Sequence, residues 1–202
     1  MLAELCEKIP GADVNVITDA LGCDSRIGHK YLKGALGYGG PCFPRDNRAL
    51  ISTGKKFGVS LPIAEATDKI NGHQIERLVE KILLLSNDNS VVGILELSYK
   101  LGTDVIEKSQ SVELAKILSE KGIKVLVYDP AAMENVKKVL GDKVTYASSV
   151  KECVQNSDIL TIAVPWAEFR NINPAWFEKK KQEPVVIDCW RILDITKLDK
   201  VR

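Results

Sequence analysis

Val91-Val92-Gly93-Ile94-Leu95-Glu96-Leu97, then Ser111-Val112-Glu113-Leu114-Ala115-Lys116-Ile117-Leu118-Ser119-Glu120-Lys121, then Lys124-Val125-Leu126-Val127-Tyr128 decide the fold. A short apolar run is followed by apolar residues at three- and four-residue spacing and then by a second short apolar run. That is the order of a buried strand, a covering helix and a parallel strand. The alternation continues to the end of the chain, with strands predicted at 144–146, 159–164 and 185–188 and helices at 131–140, 150–156 and about 174–181. Residues 89–202 are therefore expected to form an α/β domain on a parallel sheet. Ligands bind such sheets beyond the carboxyl ends of the strands, which places Tyr99-Lys100 and the segment from Asp188 to Arg191 along one crevice.

Upstream of the polar break Ser86-Asn87-Asp88-Asn89-Ser90, residues 1–88 show no strand-like alternation and read as helical. The longest piece runs over 62–85, where Ile63, Ala66, Ile70, Ile75, Leu78, Val79, Ile82 and Leu83 make one broad apolar stripe. Such a stripe buries against an intramolecular core or against a second chain, and spacing alone leaves both open.

The chain has 202 residues, enough for one large or two small domains, and 28 basic against 27 acidic residues give a net charge of +1. That balance gives no general attraction to nucleic acid or to an anionic membrane. Five widely spaced cysteines with no Cys-x-x-Cys pair point to a reducing cytoplasm and away from a structural zinc site. No signal peptide is evident, and no apolar run nears the roughly 20 residues a membrane helix needs, so a cytoplasmic protein is expected. His29 and His73 have no sequence partner suggesting a catalytic pair or a metal site and read as surface residues. Lys179-Lys180-Lys181 reads as a solvated charge run at a helix end.

The chemistry concentrates in Gly37-Tyr38-Gly39-Gly40-Pro41-Cys42-Phe43-Pro44-Arg45-Asp46. Most cysteines are buried as small hydrophobes. Here the thiol stands between a glycine turn and a helix start, with Pro44 suited to the first helical turn. Cys42 would face the positive end of the helix dipole, which favours a thiolate. Asp46, one turn further on, would reach a water beside the sulfur.

At these residues the chain resembles the nucleotide-sugar 6-dehydrogenases, the family that includes UDP-glucose dehydrogenase and GDP-mannose dehydrogenase. Asp24-Ser25-Arg26-Ile27-Gly28 with Tyr31-Leu32-Lys33 is similar to the segment leading into that family's catalytic cysteine. Leu97-Ser98-Tyr99-Lys100 with Gly102-Thr103-Asp104, Val127-Tyr128-Asp129-Pro130 and the run from Ile187 to Asp194 resemble successive parts of its C-terminal domain. The resemblance implies a helical dimerisation domain over 1–88, followed by a Rossmann-like nucleotide-sugar-binding domain over 89–202. It implies an NAD-dependent oxidation of a sugar C6 alcohol through an aldehyde to a carboxylate, with Cys42 as nucleophile and Asp46 assisting the water. It also implies that Tyr31, Leu32, Tyr38, Gly39, Tyr99, Lys100 and Arg191 surround the nucleotide sugar. Arg26, and with it Lys33, would lie by the sugar, Arg26 reaching the neighbouring subunit's site, and the helix at 62–85 would form a homodimer. Read without the family, Lys100 is an ordinary strand-end lysine, and Arg191 is a candidate anion contact sheltered by Trp190 and Ile192.

The family's NAD-binding domain should announce itself as strand, Gly-x-Gly-x-x-Gly, helix, and that fingerprint is absent from this sequence. The expectation is therefore the central and C-terminal domains of such an enzyme, inactive alone, with NAD held by a separate half. Two departures stand out. Glu107 occupies the place of an arginine that approaches the cofactor in many members, and Glu96 the place of a common second glycine. Leu101 also replaces a frequent proline. A non-catalytic sugar-nucleotide-binding and dimerisation module is the alternative from another class. Pro41 and Phe43 around the cysteine favour UDP-glucose or GDP-mannose over a UDP-N-acetylhexosamine.

Overall fold

The computed structural model describes residues 1–177 and 183–198. The chain divides into two compact units, Met1–Ala35 and Leu36–Arg202. The first holds α1 (Leu2–Cys6) and α2 (Val14–Gly22). Asp13 starts α2 by accepting the amide of Asn15 at 2.8 Å, an N-cap that satisfies one of the helix's orphan donors.

The second unit opens with the cysteine turn and α3 (Phe43–Lys56), then α4 (Pro62–Leu85), and Pro62 lies at the start of α4, where its missing donor costs nothing. An Asx turn closes the polar break: the Asn87 carbonyl accepts from Ser90, Asn87 Oδ1 accepts from Asn89, and Ser90 Oγ accepts from Asn87. Then come β1 (Val91–Leu95), α5 (Gln110–Glu120), β2 (Lys124–Tyr128), α6 (Met133–Leu140), β3 (Thr145–Tyr146), α7 (Val150–Asn156), β4 (Ile159–Ile162) and β5 (Val185–Asp188). The strands lie in the order β3-β2-β1-β4-β5, every neighbouring pair parallel, with Ile94 opposite both Val127 and Thr161.

Two apolar layers cover the sheet, as a strand set buried on both faces requires. Val92, Ile94, Val125, Val127 and Ile159 pack with apolar residues of α4, α5 and α6. Leu95, Leu126, Leu160 and Ile162 pack with α7 and with Phe169, Ile172 and Phe177. The stripe on α4 divides between two roles. Its C-terminal half, Ile75, Leu78, Val79 and Ile82, is intramolecular core, whereas Ile63 is 84% exposed.

Element ends differ from expectation where side chains take over backbone partners. The first strand stops at Leu95 because Glu96 turns to a left-handed φ of 79°, although its amide still bonds the Tyr128 carbonyl at 2.8 Å. The helix expected from 131 begins at Met133, since the amides of Ala131 and Ala132 are held by Asp129 Oδ1. Of the helix expected at about 174–181, the described residues hold a 3-10 turn, Pro174–Phe177, and the remainder, with the Lys179-Lys180-Lys181 run, lies outside the described residues. Among the described residues no helix is long and apolar enough to cross a membrane.

Ile82 is fully enclosed between α4 and the sheet. Ile82→Ala should cost about 2–5 kcal/mol in urea unfolding, whereas Ile63→Ala should change it by under about 0.5 kcal/mol.

Candidate active site and nucleotide crevice

Cys42 is the N-cap of α3 and is exposed. Phe43 and Pro44 fill the first two helical positions, and the Asp46 amide makes the first helical bond, 2.8 Å, to the Cys42 carbonyl. The thiol thus stands at the positive end of a 14-residue helix whose last turn carries Lys55 and Lys56, where cations suit the dipole. The Asp46 carboxylate, on the same turn, accepts from Arg45 Nε at 2.9 Å. That hydrogen bond is the first cause holding the Arg45 guanidinium above its ordinary pKa, with the Asp46, Cys42 and Glu107 charges adding to it. Thiol, carboxylate and cation therefore share one exposed helix start.

The turn before Cys42 is gripped by the segment that leads from β1 to α5. The Gly40 amide donates to the Glu107 carbonyl at 2.9 Å. A Cβ on Gly39 would lie 2.3 Å from the Lys108 carbonyl oxygen, and one on Gly40 would lie 2.5 Å from the Tyr99 ring. Gly40 also needs its left-handed φ of 86°, so neither glycine can be replaced without moving the turn. From the other side Asn71 Nδ2 on α4 donates to the Tyr38 carbonyl at 2.9 Å, and the Tyr38 and Phe43 rings meet edge to face at 6.2 Å. The Tyr38 hydroxyl is buried without a hydrogen-bond partner, and burial raises its pKa.

A second polar cluster lies at the carboxyl end of the strands. The Asp129 carboxylate, at the end of β2, accepts four backbone amides: Leu97 at 2.8 Å, Ser98 at 2.9 Å, Ala131 at 2.7 Å and Ala132 at 2.5 Å. It stitches the turn after β1 to the approach to α6. Beside it Glu96 is fully buried. Burial, with the Asp129 charge adding to it and the hydrogen bond from Ser98 opposing it, pushes the Glu96 carboxyl up to about 8. At the end of β5 the Asp188 carboxylate accepts from the amides of Trp190 at 3.1 Å and Leu193 at 2.8 Å.

The second unit gathers Tyr38, Gly39, Cys42, Asp46 and Tyr99 around the cysteine turn, with Lys100 Nζ 5.4 Å above the Tyr99 ring. Arg191 departs from expectation. Trp190 points inward, its indole donating to the Ala163 carbonyl at 2.7 Å, and Arg191 then takes a left-handed φ of 52° and is exposed rather than sheltered. In the first unit Arg26 is paired with Asp24 at 2.6 Å, and Lys33 reaches Asp19 at 3.3 Å. Leu32 there is half-buried, and Tyr31 is 93% exposed with a left-handed φ of 63°.

Sequence reasoning missed Arg45, Asn71 and the backbone of Glu107 and Lys108, because a carbonyl that grips a distant turn leaves no trace in residue type. Asp129 was more accessible. An aspartate directly after a strand and before a proline and a helix is placed to collect amides.

The family models for the UDP-glucose/GDP-mannose dehydrogenases match this chain twice: the central domain over residues 1–73 and the UDP binding domain over residues 93–195. The UDP-glucose 6-dehydrogenase of Rickettsia felis is 36% identical over 204 residues, covering 99% of this chain and 45% of that protein. UDP-glucose 6-dehydrogenase TuaD of Bacillus subtilis is 32% identical over 189 residues, covering 93% of this chain and 41% of the relative. Among solved structures, a UDP-glucose dehydrogenase from the archaeon Pyrobaculum islandicum superposes with a TM-score of 0.82 at 31% identity, over 95% of this chain and 43% of that one. This chain thus spans less than half the length of the curated relatives it matches.

Two outcomes follow from the geometry. Gly40→Ala should destabilise the fold by about 1–3 kcal/mol and change the rate at which iodoacetamide alkylates Cys42; an unaltered rate would mean that the grip does not shape the thiol. Glu96 titrates above its ordinary 4.5, so the folded chain keeps a proton that the unfolded chain loses between about 4.5 and about 8. Stability should fall as pH rises through that window, by at most about 1.4 kcal/mol per pH unit, and level off above it. Urea unfolding of Glu96→Gln should lack that slope.

Proposed function

Since the chain belongs to the UDP-glucose/GDP-mannose dehydrogenase family, we propose that it is the nucleophile-bearing and sugar-nucleotide-binding part of an NAD-dependent UDP-glucose 6-dehydrogenase. The observation that carries this reading is Cys42 at the N-cap of α3, exposed, with Asp46 one turn on and the β1–α5 segment locked beneath it. The Cys42 sulfur adds to the carbonyl carbon of a C6 aldehyde while the oxygen takes a proton, giving a thiohemiacetal. At the later thioester stage Asp46 takes a proton from water as the water attacks the acyl carbon, and the sulfur leaves as thiolate. Covalent capture divides a hard oxidation into two easier steps. Tyr99 and Lys100, with Arg191 on the same carboxyl edge of the sheet, meet the nucleotide, and Tyr38 and Gly39 of the same unit meet the sugar nucleotide; in the first unit Arg26, Tyr31, Leu32 and Lys33 are candidate substrate contacts in their own right, Arg26 for the neighbouring subunit's sugar. UDP-glucose is the substrate favoured, GDP-mannose and UDP-N-acetylhexosamines being the alternatives.

NAD, the family's hydride acceptor, does not fit the described residues. The turn after β1, where a pyrophosphate cradle would open, is filled by the enclosed Glu96 carboxyl, and Glu107 presents a second acid beside the cysteine turn. NAD is accordingly assigned to a separate nucleotide-binding half, and the steps that fall to this chain are capture and hydrolysis. The same two acids favour the second reading, a module that binds sugar nucleotide without chemistry. The division between helical and α/β domains is placed at the Asx turn, 88/89. Five cysteines with no disulfide among them suit a cytoplasmic setting.

Dimerisation is proposed through the helix at 62–85, at its N-terminal half, where Ile63 is 84% exposed beside Leu50 (54%) on the packed α3 and Phe57 (72%) and Val59 (54%) on the connection between the two helices.

Saturating UDP-glucose should slow iodoacetamide alkylation of Cys42 at least several-fold and leave that of the exposed Cys23 unchanged; no protection by any nucleotide sugar would refute the substrate assignment. Joined to an NAD-binding half, the chain should form uronic acid, and Cys42→Ser should abolish it. The pair Phe57→Asp and Ile63→Asp should yield a monomer in sedimentation with the fold intact, whereas a dimer persisting in that pair would place the interface elsewhere.

A further inference from the structure

Three polar groups stand in line at the carboxyl end of β1. Glu96 is enclosed on a left-handed backbone, an uncommon conformation for a residue with a Cβ. Its Oε1 meets Ser98 Oγ, and Ser98 Oγ lies 2.8 Å from the Lys100 carbonyl oxygen. Its Oε2 is buried with no well-formed hydrogen bond, and it is faced by the Trp166 indole, itself buried without one, which favours the charged form, and by the Asp129 carboxylate, which favours the protonated one. The titratable groups around the carboxyl are Asp129 and Tyr128 from the end of β2 and, beyond Asp129, Glu168 from the 3-10 turn after β4. Asp129 is committed to four backbone amides. A second negative charge at Glu96 would therefore sit beside a carboxylate that cannot turn away.

A hydroxyl carries a single proton to donate. With Glu96 neutral, its O–H donates to Ser98 Oγ, Ser98 donates to the Lys100 carbonyl, and the chain of bonds is complete. With Glu96 ionised, Ser98 donates to the carboxylate, because a charge-assisted bond outcompetes one to a neutral carbonyl. The Lys100 carbonyl then loses its partner. We infer that Glu96 is a positioning residue that acts through Ser98, holding the Lys100 turn closed as a neutral acid and releasing it on ionisation. Burial sets that exchange near pH 8, close to working conditions. Its consequence for ligand binding rests on the proposed contact between Lys100 and the nucleotide, whereas the relay itself does not.

The Tyr99 amide reports the turn, since it closes the loop by donating to the Val105 carbonyl at 3.0 Å. Its hydrogen exchange, corrected for the intrinsic rate, is to be measured at pH 6 and pH 9 in the native sequence, Glu96→Gln, Glu96→Gly and Ser98→Ala. Native and Gln forms should be equally protected at pH 6. At pH 9 the native form should be about ninetyfold less protected, the charged share rising from roughly one molecule in a hundred to roughly ten in eleven. Glu96→Gly suits the left-handed backbone and leaves Ser98 to bond Lys100, so it should follow the Gln form and replaces it should that variant not fold. Ser98→Ala should lose protection at both pH values without a step. Equal protection of native and Gln forms at pH 9, or a step that survives in Ser98→Ala, overturns the relay. UDP-glucose affinity on the same samples should follow the same step. A chain that binds none at either pH contradicts the proposed function, and the exchange comparison still decides the relay.

Discussion

The bond from the Gly40 amide to the Glu107 carbonyl joins the cysteine turn to the segment that leaves the first strand of the sheet. Everything proposed for Cys42 depends on that junction. A thiol at a helix start gains from the dipole wherever the helix lies, but it can act on a sugar only if the helix start is held near the nucleotide crevice. The Tyr99 ring against Gly40 and the Lys108 carbonyl under Gly39 make the junction a three-point contact, closed from the α4 side by Asn71. The sheet, the layers that bury it and α4 together give this contact a rigid base.

The carboxyl edge of the sheet shows the opposite economy. Asp129 satisfies four amides and orders the turn after β1, whereas Glu96 adds an enclosed acid on a left-handed backbone with one oxygen lacking a well-formed hydrogen bond. Buried polar atoms without partners are costly and uncommon in native folds. Neutralisation of Glu96 limits the cost, and its price is a dependence on pH at the position where a ligand would sit. Strain of this kind tends to lie at binding and switching sites rather than in the body of a core.

The α/β half was legible because its strands are short apolar runs and its helices carry stripes of the right period. The predicted limits of β2, β5, α4 and α7 coincide with those observed. The misplaced ends share a cause: at Leu95 and at Met133 a side chain or a φ outside the strand and helix wells decides the boundary, and neither is encoded in periodicity. Cys42 as the cap of α3 was legible from Pro44 and the glycines before it. The exposure of Arg191 was not, because it follows from the inward turn of Trp190, a choice made by a hydrogen bond to Ala163 across 27 residues of sequence. The division of the α4 stripe was likewise hidden, since spacing shows that a face is apolar and says nothing of what covers it.

The central claim is that this chain carries a formed sugar-nucleotide site beside its nucleophile, with NAD held elsewhere. Calorimetric titration with UDP-glucose, GDP-mannose and NAD, paired with sedimentation, tests it most directly. Saturable binding of UDP-glucose by a dimer, with no heat from NAD, is the result the account predicts. A well-folded chain that binds NAD, or that binds no sugar nucleotide, would contradict it.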